Sequence, residues 1–241
     1  EKKIDFNSPN RNIVPVTTAL DDNGNLSIGG CSIEDLIQKY GSPLYILDET
    51  TLKNSCKAYK KALEKYYPGE SLPIYASKAN SSLFMSSLVA SEGFGLDAVS
   101  EGELLTAIKG GVPNEKIVFH GNNKSDQEIE FALKHKIKVV IDNDHDLKRL
   151  GKISESMKSD LEVMIRFTPG IECHTHEYIR TGSFDSKFGF GLEYLETLFE
   201  EISNMNYLKL IGLHAHIGSQ IFELDPHKDL GEIMVNVMAK A

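Results

Sequence analysis

The chain has 241 residues, of which 41% are hydrophobic and 25% are charged, and its formal net charge at pH 7 is −9. This balance indicates a globular chain with a sizeable core, as one large domain or one with a small appendage, and excludes disorder for most of the chain. No stretch approaches the roughly 18 consecutive apolar residues of a membrane span. The negative charge disfavours nonspecific binding to nucleic acid or to anionic membranes.

Residues 1–47 are predicted to form a leader that packs on another part of the protein. Polar turn residues separate its short apolar pieces, residues 32–40 have helical spacing, and residues 43–47 have the composition of a strand. The first residues contain no apolar core of a secretory signal. The cysteines, Cys31, Cys56 and Cys173, are far apart in the sequence, which favours reduced thiols and a cytoplasmic location.

From residue 48 onward, short β-rich runs alternate with helical patterns. The predicted strands are 73–76, 95–99, 117–120, 138–142, 162–167 and 208–217, and the predicted helices are 49–66, 82–91, 102–110, 125–135, 144–156 and 194–204. This alternation is typical of βα units with a parallel sheet. No G-x-G-x-x-G follows the first strand, so a dinucleotide-binding sheet has no support. Residues 48–241 are therefore predicted to form an incomplete (β/α)₈ TIM-type barrel with about six βα units.

A long polar interval, residues 168–191, follows the fifth predicted strand of the barrel. It is punctuated by glycines and carries the basic or titratable side chains of His174, His176, Arg180 and Lys187. In a barrel, the loops that follow the strands form the face on which active sites are built.

A lysine stands at the end of the first barrel strand, Lys78 in the segment YASKAN. Small apolar neighbours predict that the side chain is desolvated, which would lower its pKa and free the amine as a nucleophile. A neutral amine is what Schiff-base chemistry requires. An ordinary surface lysine at a strand end is the alternative.

Two charged residues lie inside strands that a barrel would bury, Asp97 in the second and Arg166 in the fifth. A buried charge needs a partner, so we expect these two side chains to pair across the mouth of the barrel. Asp97 could instead cap a nearby loop. Ser100 and Glu103 are predicted to cap the following helix, which is a structural role.

Polar side chains also follow the third and sixth strands. The segment HGNNK, residues 120–124, suits the floor of a polar site and equally an ordinary loop. His214 and His216 are two residues apart and would share one face of a strand, as metal ligands do or as one stacking histidine beside a structural one. Gly218 and Ser219 offer a backbone N–H and a hydroxyl that suit a phosphate oxygen.

Taken in order, these motifs resemble the pyridoxal-phosphate decarboxylases with an alanine-racemase-like barrel. The resemblance runs from about residue 10 to residue 241 and rests on the leader GGCSIEDLIQKYGSPLYILDE and on the motifs YASKAN, GFGLDAVSEGEL, HGNNK, MIRFTPG, THEYIRTG, SKFGFGL and GLHAHIGSQ. It is closest to the branch that converts meso-diaminopimelate and releases CO₂ to give L-lysine, the last step of lysine biosynthesis.

The resemblance implies a role for each predicted site residue. Lys78 would bond covalently to the aldehyde of pyridoxal 5′-phosphate, and His216 would stack on the pyridine ring. Gly218 and Ser219 would hold the phosphate. Arg166 would lie near the ring and its phenolic oxygen, with Asp97 close to Lys78. No metal site is implied, and the small-molecule substrate would be an amino acid.

The resemblance also implies parts that these motifs do not include. They are the remaining βα units, a glycine-rich phosphate loop, a glutamate for the pyridine nitrogen and a β-rich C-terminal domain with which residues 1–47 would pack. That domain would bring a cysteine to the partner subunit's site in a homodimer. We therefore expect the 241-residue chain by itself to be an inactive fragment.

Three alternatives remain open at the level of the sequence. The same fold and cofactor could serve an ornithine, arginine or carboxynorspermidine decarboxylase. A metal-dependent hydrolase barrel could use His214 and His216. A small non-enzymatic barrel that binds pyridoxal phosphate is the third, although the leader argues against it.

Overall fold

The computed structural model describes residues 12–21, 23–171 and 187–239, and the chain divides into two compact units, Glu1–Pro73 and Ile74–Ala241. This boundary lies later than the predicted boundary after residue 47. The difference arises because the start of the helix that follows residue 48 bonds to the leader. Thr17 Oγ1 donates to Asp48 Oδ1 at 2.8 Å, and the Val16 N–H donates to Thr51 Oγ1 at 2.9 Å. The role of residues 1–47 in a second domain stays a prediction.

The N-terminal unit contains a small antiparallel sheet and two helices. The strands β1 (Ala19–Leu20), β2 (Leu26–Ile28) and β3 (Cys31–Ser32) pair in sequence order, and the helices are α1 (Ile33–Tyr40) and α2 (Glu49–Tyr66). Each helix begins at a side-chain cap. Ser32 Oγ accepts the N–H of Asp35, and the Asp48 carboxylate accepts the N–H of Thr51. Both helices confirm the prediction from apolar spacing.

Residues 43–47 do not form the predicted strand. Tyr45 is fully exposed, and Leu44 and Leu47 are also exposed. An extended segment becomes a strand only when a neighbour takes its backbone hydrogen bonds, and the described residues place none beside it. The three strands of two or three residues that do form in this unit carry no apolar run, which is why the sequence does not predict them.

The C-terminal unit is built on six parallel strands. They are β4 (Ile74–Ala76), β5 (Gly95–Ala98), β6 (Ile117–Phe119), β7 (Lys138–Ile141), β8 (Leu161–Arg166) and β9 (Leu208–His214). Their order in the sheet is their order in the chain. A doubly wound sheet would reverse direction at a switch point. The unbroken order is instead that of a barrel wall, as predicted.

A helix follows each of these six strands. The helices are α3 (Leu83–Ser91), α4 (Glu101–Lys109), α5 (Asp126–Lys134), α6 (Asp144–Met157), α7 (Leu195–Ser203) and α8 (Asp225–Met238). The first five confirm the prediction, and α8 was not predicted. The cap formed by Ser100 and Glu103 is present, because Ser100 Oγ accepts the Glu103 N–H at 3.3 Å. Among the described residues, no helix has the length and apolar character needed to cross a membrane.

The core lies where strands are covered on both faces. Every residue of β6 is buried, and so are Val139, Val140 and Ile141 of β7. Such continuous burial is typical of parallel strands with helices outside and packed side chains inside. It fixes the carboxyl ends of β4 to β9 relative to one another, and the polar residues that follow these ends form the site.

Candidate active site

A cavity of about 440 Å³ lies at the carboxyl ends of the parallel strands. It is lined by Lys78, Val99, His120, Gly121, Asn122, Asn123, Arg166, Phe188, His216 and Ser219. The volume is in the range of sites for small molecules. Four of the six predicted site residues, Lys78, Arg166, His216 and Ser219, therefore meet at one cavity.

Lys78 reaches two of these residues directly. It lies in a short 3₁₀ turn, Ser77–Ala79, immediately after β4, and its Nζ is 2.7 Å from His216 Nε2 and 3.2 Å from Ser219 Oγ. The predicted desolvation is wrong for the described residues, since Lys78 is exposed. The reason is that β4 is an outer strand of the six, so among the described residues it has a neighbouring strand along one edge only.

The ring of His216 is oriented by its own loop. The Gly218 N–H donates to His216 Nδ1 at 3.2 Å, and the other ring nitrogen, Nε2, faces Lys78. Burial, followed by the nearby charge of Lys78, lowers the pKa of His216 to about 4. The Gly218 N–H that we expected to face a phosphate is thus directed at His216.

The two histidines of the H-x-H motif have different surroundings. Strand β9 ends at His214, earlier than predicted, so His216 lies in the loop and the shared strand face is lost. His214 stacks on His120 with ring centroids 5.6 Å apart, and burial lowers its pKa to about 3. Within the described ranges, no group of three His, Cys, Asp or Glu side chains is arranged to hold a metal ion.

Arg166 is buried at the cavity wall, 4% exposed, but its partner is not the predicted one. Its NH1 donates to Asp142 Oδ1 at 3.2 Å, whereas Asp97 pairs with His120 Nε2 at 2.9 Å. Strand order explains the correction. Asp142 directly follows β7, the neighbour of β8, while Asp97 lies on β5, three strands away. Burial lowers the pKa of Arg166, and the charge of Asp142 opposes that effect.

The two described ends of the long loop after β8 are joined beside Arg166. Thr168 N–H donates to the Phe190 carbonyl at 2.8 Å, and Phe190 N–H donates to the Arg166 carbonyl at 2.9 Å. This pairing holds the Phe188 ring 4.5 Å from the Arg166 guanidinium carbon. Cys173, His174, His176 and Arg180, named in the sequence analysis, lie outside the described residues.

Several residues that line the cavity had no role assigned from the sequence. His120, Asn122 and Asn123 come from the HGNNK segment, whose two interpretations the sequence could not separate, and Phe188 comes from SKFGFGL. Four buried polar atoms that find no hydrogen-bond partner among the described residues also cluster here: Asp97 Oδ1, His120 Nδ1, Asp142 Oδ2 and His214 Nδ1. Unsatisfied buried polar atoms are uncommon in native proteins, and a catalytic role is one reason for them. The sequence does contain a signal for Asp142, because this acidic residue ends the strand that lies beside the strand of Arg166.

Sequence comparison connects this site with one protein family. Residues 49–241 match the family described as pyridoxal-dependent decarboxylase, pyridoxal binding domain. The diaminopimelate decarboxylase of Synechocystis sp. is 48% identical over 241 residues, which cover 97% of this chain and 51% of that protein. The diaminopimelate decarboxylase of Bacillus subtilis is 43% identical over 211 residues, covering 86% and 48%. The chain thus spans about half the length of the curated relatives it matches.

Structural comparison gives the same connection. The crystal structure of diaminopimelate decarboxylase from M. jannaschii has a TM-score of 0.84 and 30% identity over 91% of this chain and 52% of that chain. The Helicobacter pylori diaminopimelate decarboxylase complexed with L-lysine has a TM-score of 0.79 and 34% identity, covering 86% and 53%. These neighbours confirm the prediction of a partial (β/α)₈-type barrel.

Proposed function

The chain belongs to the pyridoxal-dependent decarboxylase family, and we propose that it forms the cofactor-binding half of a diaminopimelate decarboxylase. The reaction would release CO₂ from meso-diaminopimelate and give L-lysine. The observation that carries the proposal is the meeting of Lys78, His216, Ser219 and Arg166 at one cavity. The substrate is chosen because relatives up to 48% identical are named diaminopimelate decarboxylases.

The residues around the cavity fit pyridoxal 5′-phosphate chemically. Lys78 offers a primary amine for the aldehyde, Ser219 a hydroxyl for the phosphate, and Arg166 a guanidinium for oxygen atoms of an anionic ring. His216 would lie against the ring. When bound, the cofactor supplies an electron sink for the electrons left on the substrate α-carbon after CO₂ departs.

The chain's own residues orient the side chains of His216 and Arg166 and keep His216 uncharged. His216 is neutral at pH 7 because its pKa is about 4, so its ring can stack without adding a second cation beside Lys78. The Gly218 N–H donates to Nδ1 of that ring, which directs Nε2 toward Nζ of Lys78. Asp142 fixes the direction of the Arg166 guanidinium, and the Phe188 ring covers its face. These contacts prepare positions for the cofactor before it binds.

Two further properties follow from the family resemblance. We propose that the complete enzyme is a homodimer with shared active sites, and that it works in the cytoplasm with its cysteines reduced. Light scattering of the purified full-length protein would measure the mass of the assembly, and a monomeric mass at working concentration would contradict the dimer.

The attachment of the cofactor is tested by chemical trapping. The full-length protein encoded by its gene is loaded with pyridoxal 5′-phosphate, reduced with borohydride and digested for peptide mapping. We expect the pyridoxyl group on Lys78. A label on Lys124 or Lys187 would overturn the assignment, and Lys78→Ala is the matched variant that should remain unlabelled.

The substrate is tested by product analysis with the same loaded protein. Meso-diaminopimelate, ornithine, arginine and carboxynorspermidine are supplied separately, and CO₂ release and amine products are measured. We expect L-lysine from meso-diaminopimelate at the highest kcat/KM. A higher kcat/KM for one of the other three substrates would keep the cofactor assignment and replace the substrate.

A further inference from the structure

A buried lysine lies beneath the wall of the cavity without lining it. Lys124 ends the HGNNK segment, and its side chain is 1% exposed. Lysines are almost never fully buried unless they are paired. The pair here is Asp146 in the first turn of α6, whose side chain is 2% exposed. Burial lowers the pKa of Lys124, and the charge of Asp146 acts in the opposite direction.

Lys124 closes the turn that forms one wall of the cavity. Its Nζ donates to the Gly121 carbonyl at 2.5 Å as well as to the Asp146 carboxylate. Gly121 has a φ of 124°, which side-chain-bearing residues rarely adopt. The Lys124 contact therefore holds the turn in a backbone conformation that favours glycine. Gly121, Asn122 and Asn123 all line the cavity. The position of this wall therefore depends on the Lys124 contact.

The Asp146 carboxylate carries the connection to a second wall. Its Oδ2 accepts the Asp142 N–H at 3.2 Å, and Asp142 Oδ1 accepts a hydrogen from Arg166 NH1 at 3.2 Å. A buried row thus runs from Lys124 through Asp146 and Asp142 to Arg166, with two anions between two cations, and the backbone N–H of Asp142 joins the two anionic residues. Replacing a buried ion pair by apolar residues is often neutral or stabilising, so stability alone gives no reason for this row.

We propose that Lys124 is a positioning residue that, together with Asp146, holds the Gly121–Asn123 wall and the Arg166 guanidinium in place for pyridoxal 5′-phosphate. It acts through the Gly121 carbonyl on one side and through Asp142 on the other, and it touches neither the cofactor nor the substrate. This inference rests on the proposed function, since it takes the cavity as the site of that cofactor.

Two variants separate positioning from stability. Lys124→Met leaves Asp146 buried without its cation, so we expect a lower urea midpoint and a Kd for pyridoxal 5′-phosphate at least about tenfold higher. The double variant Lys124→Met with Asp146→Leu removes both charges. We expect its urea midpoint to return close to that of the unaltered protein, while the Kd stays raised because neither wall is held.

The measurements are absorbance titrations of the full-length apoprotein with pyridoxal 5′-phosphate, at temperatures where circular dichroism shows every variant folded. Lys124→Leu with Asp146→Ala replaces the first pair if that pair packs poorly. The matched control is Lys209→Met with Asp160→Leu, which removes an ion pair whose side chains are 59% and 51% exposed. Because that pair lies away from the cavity lining, the Kd of the control variant for pyridoxal 5′-phosphate should equal that of the unaltered protein.

Recovery of both the urea midpoint and the Kd in the double variant would overturn the positioning role, since Lys124 would then serve only to neutralise Asp146. An unchanged Kd in folded Lys124→Met would do the same. These results differ from a failure of the proposed function, in which the unaltered protein itself would not bind pyridoxal 5′-phosphate.

Discussion

His214 and His216 are close in the sequence, yet their side chains meet different neighbours. His216 contacts Lys78 at the cavity, while His214 stacks on His120 and does not line it. We predict that His216→Ala changes the absorbance spectrum of bound pyridoxal 5′-phosphate and raises its Kd by about tenfold, the effect of losing roughly 1.4 kcal/mol. His214→Ala should change both less. Equal losses that zinc restores would instead support a metal site.

Burial of His214 predicts a specific pH dependence of stability. Its pKa is about 3 in the folded protein and about 6.5 when exposed, so the unfolded chain binds a proton that the folded protein does not. The contribution of neutral His214 to the free energy of unfolding is complete above pH 6.5, and it is lost as the pH falls from there toward 3. Between pH 7 and pH 5 the loss is about 2 kcal/mol, at 1.36 kcal/mol per pH unit.

The His214 contribution is isolated by comparison with His214→Phe, which keeps a ring beside His120 and cannot titrate. The free energy of unfolding is measured by urea denaturation at pH 7 and pH 5. We expect the variant to lose about 2 kcal/mol less than the unaltered protein over this interval. Identical losses would show that His214 is protonated at pH 5 in the folded state.

Single residues were predictable where a strand end and a chemical type coincide. Lys78 and Ser219 meet at the cavity as the sequence and its family resemblance imply, because each follows the carboxyl end of a parallel strand. The partner of Arg166 was wrongly predicted to be Asp97, because the prediction matched charges by type without using strand order. The order of the strands in the barrel places Asp142 at the end of the strand beside β8.

At the scale of the elements, packing between α3 and α4 depends on a glycine. An ideal Cβ on Gly110 would lie 2.4 Å from Ser86 Cβ and 3.0 Å from the Ser86 carbonyl carbon, and the Gly110 backbone is ordinary αR. We predict that Gly110→Ala lowers the free energy of unfolding by about 1–3 kcal/mol through overpacking. Urea denaturation measures the change.

Gly231 in α8 is the matched control, since nothing lies within 4 Å of its ideal Cβ. Gly231→Ala should raise the free energy of unfolding by about 0.5–1 kcal/mol, because alanine favours the helix interior. A loss of stability in both variants would show that contact with Ser86 is not the cause of the Gly110 effect.

Elements were predictable where two independent signals agree. Helices α3 to α6 combine apolar spacing with a Ser or Asn cap at the first turn, and each predicted boundary lies close to the observed one. Residues 43–47 had only the composition of a strand, and tertiary pairing, which composition does not encode, decided against them. Helices α7 and α8 both lack a side-chain cap at the start, and only α7 was predicted, so the missing cap alone does not account for α8.

At the scale of the whole molecule, β4 and β9 are the outermost of the six parallel strands, and each has an unpaired edge among the described residues. Exposed edges favour association with other chains. We predict that the 241-residue chain expressed alone binds pyridoxal 5′-phosphate weakly and releases no lysine from meso-diaminopimelate. Robust turnover by this chain, measured beside the full-length protein, would contradict the prediction.

The unbroken strand order has a consequence for how the chain folds as it is synthesised. Each strand from β5 to β9 pairs with the strand made just before it, so βα units can add one at a time as they leave the ribosome. Lys78 and His216, however, are separated by 138 residues, and their contact waits for the last of these strands. Nascent chains of increasing length should therefore gain resistance to proteases well before they gain affinity for the cofactor.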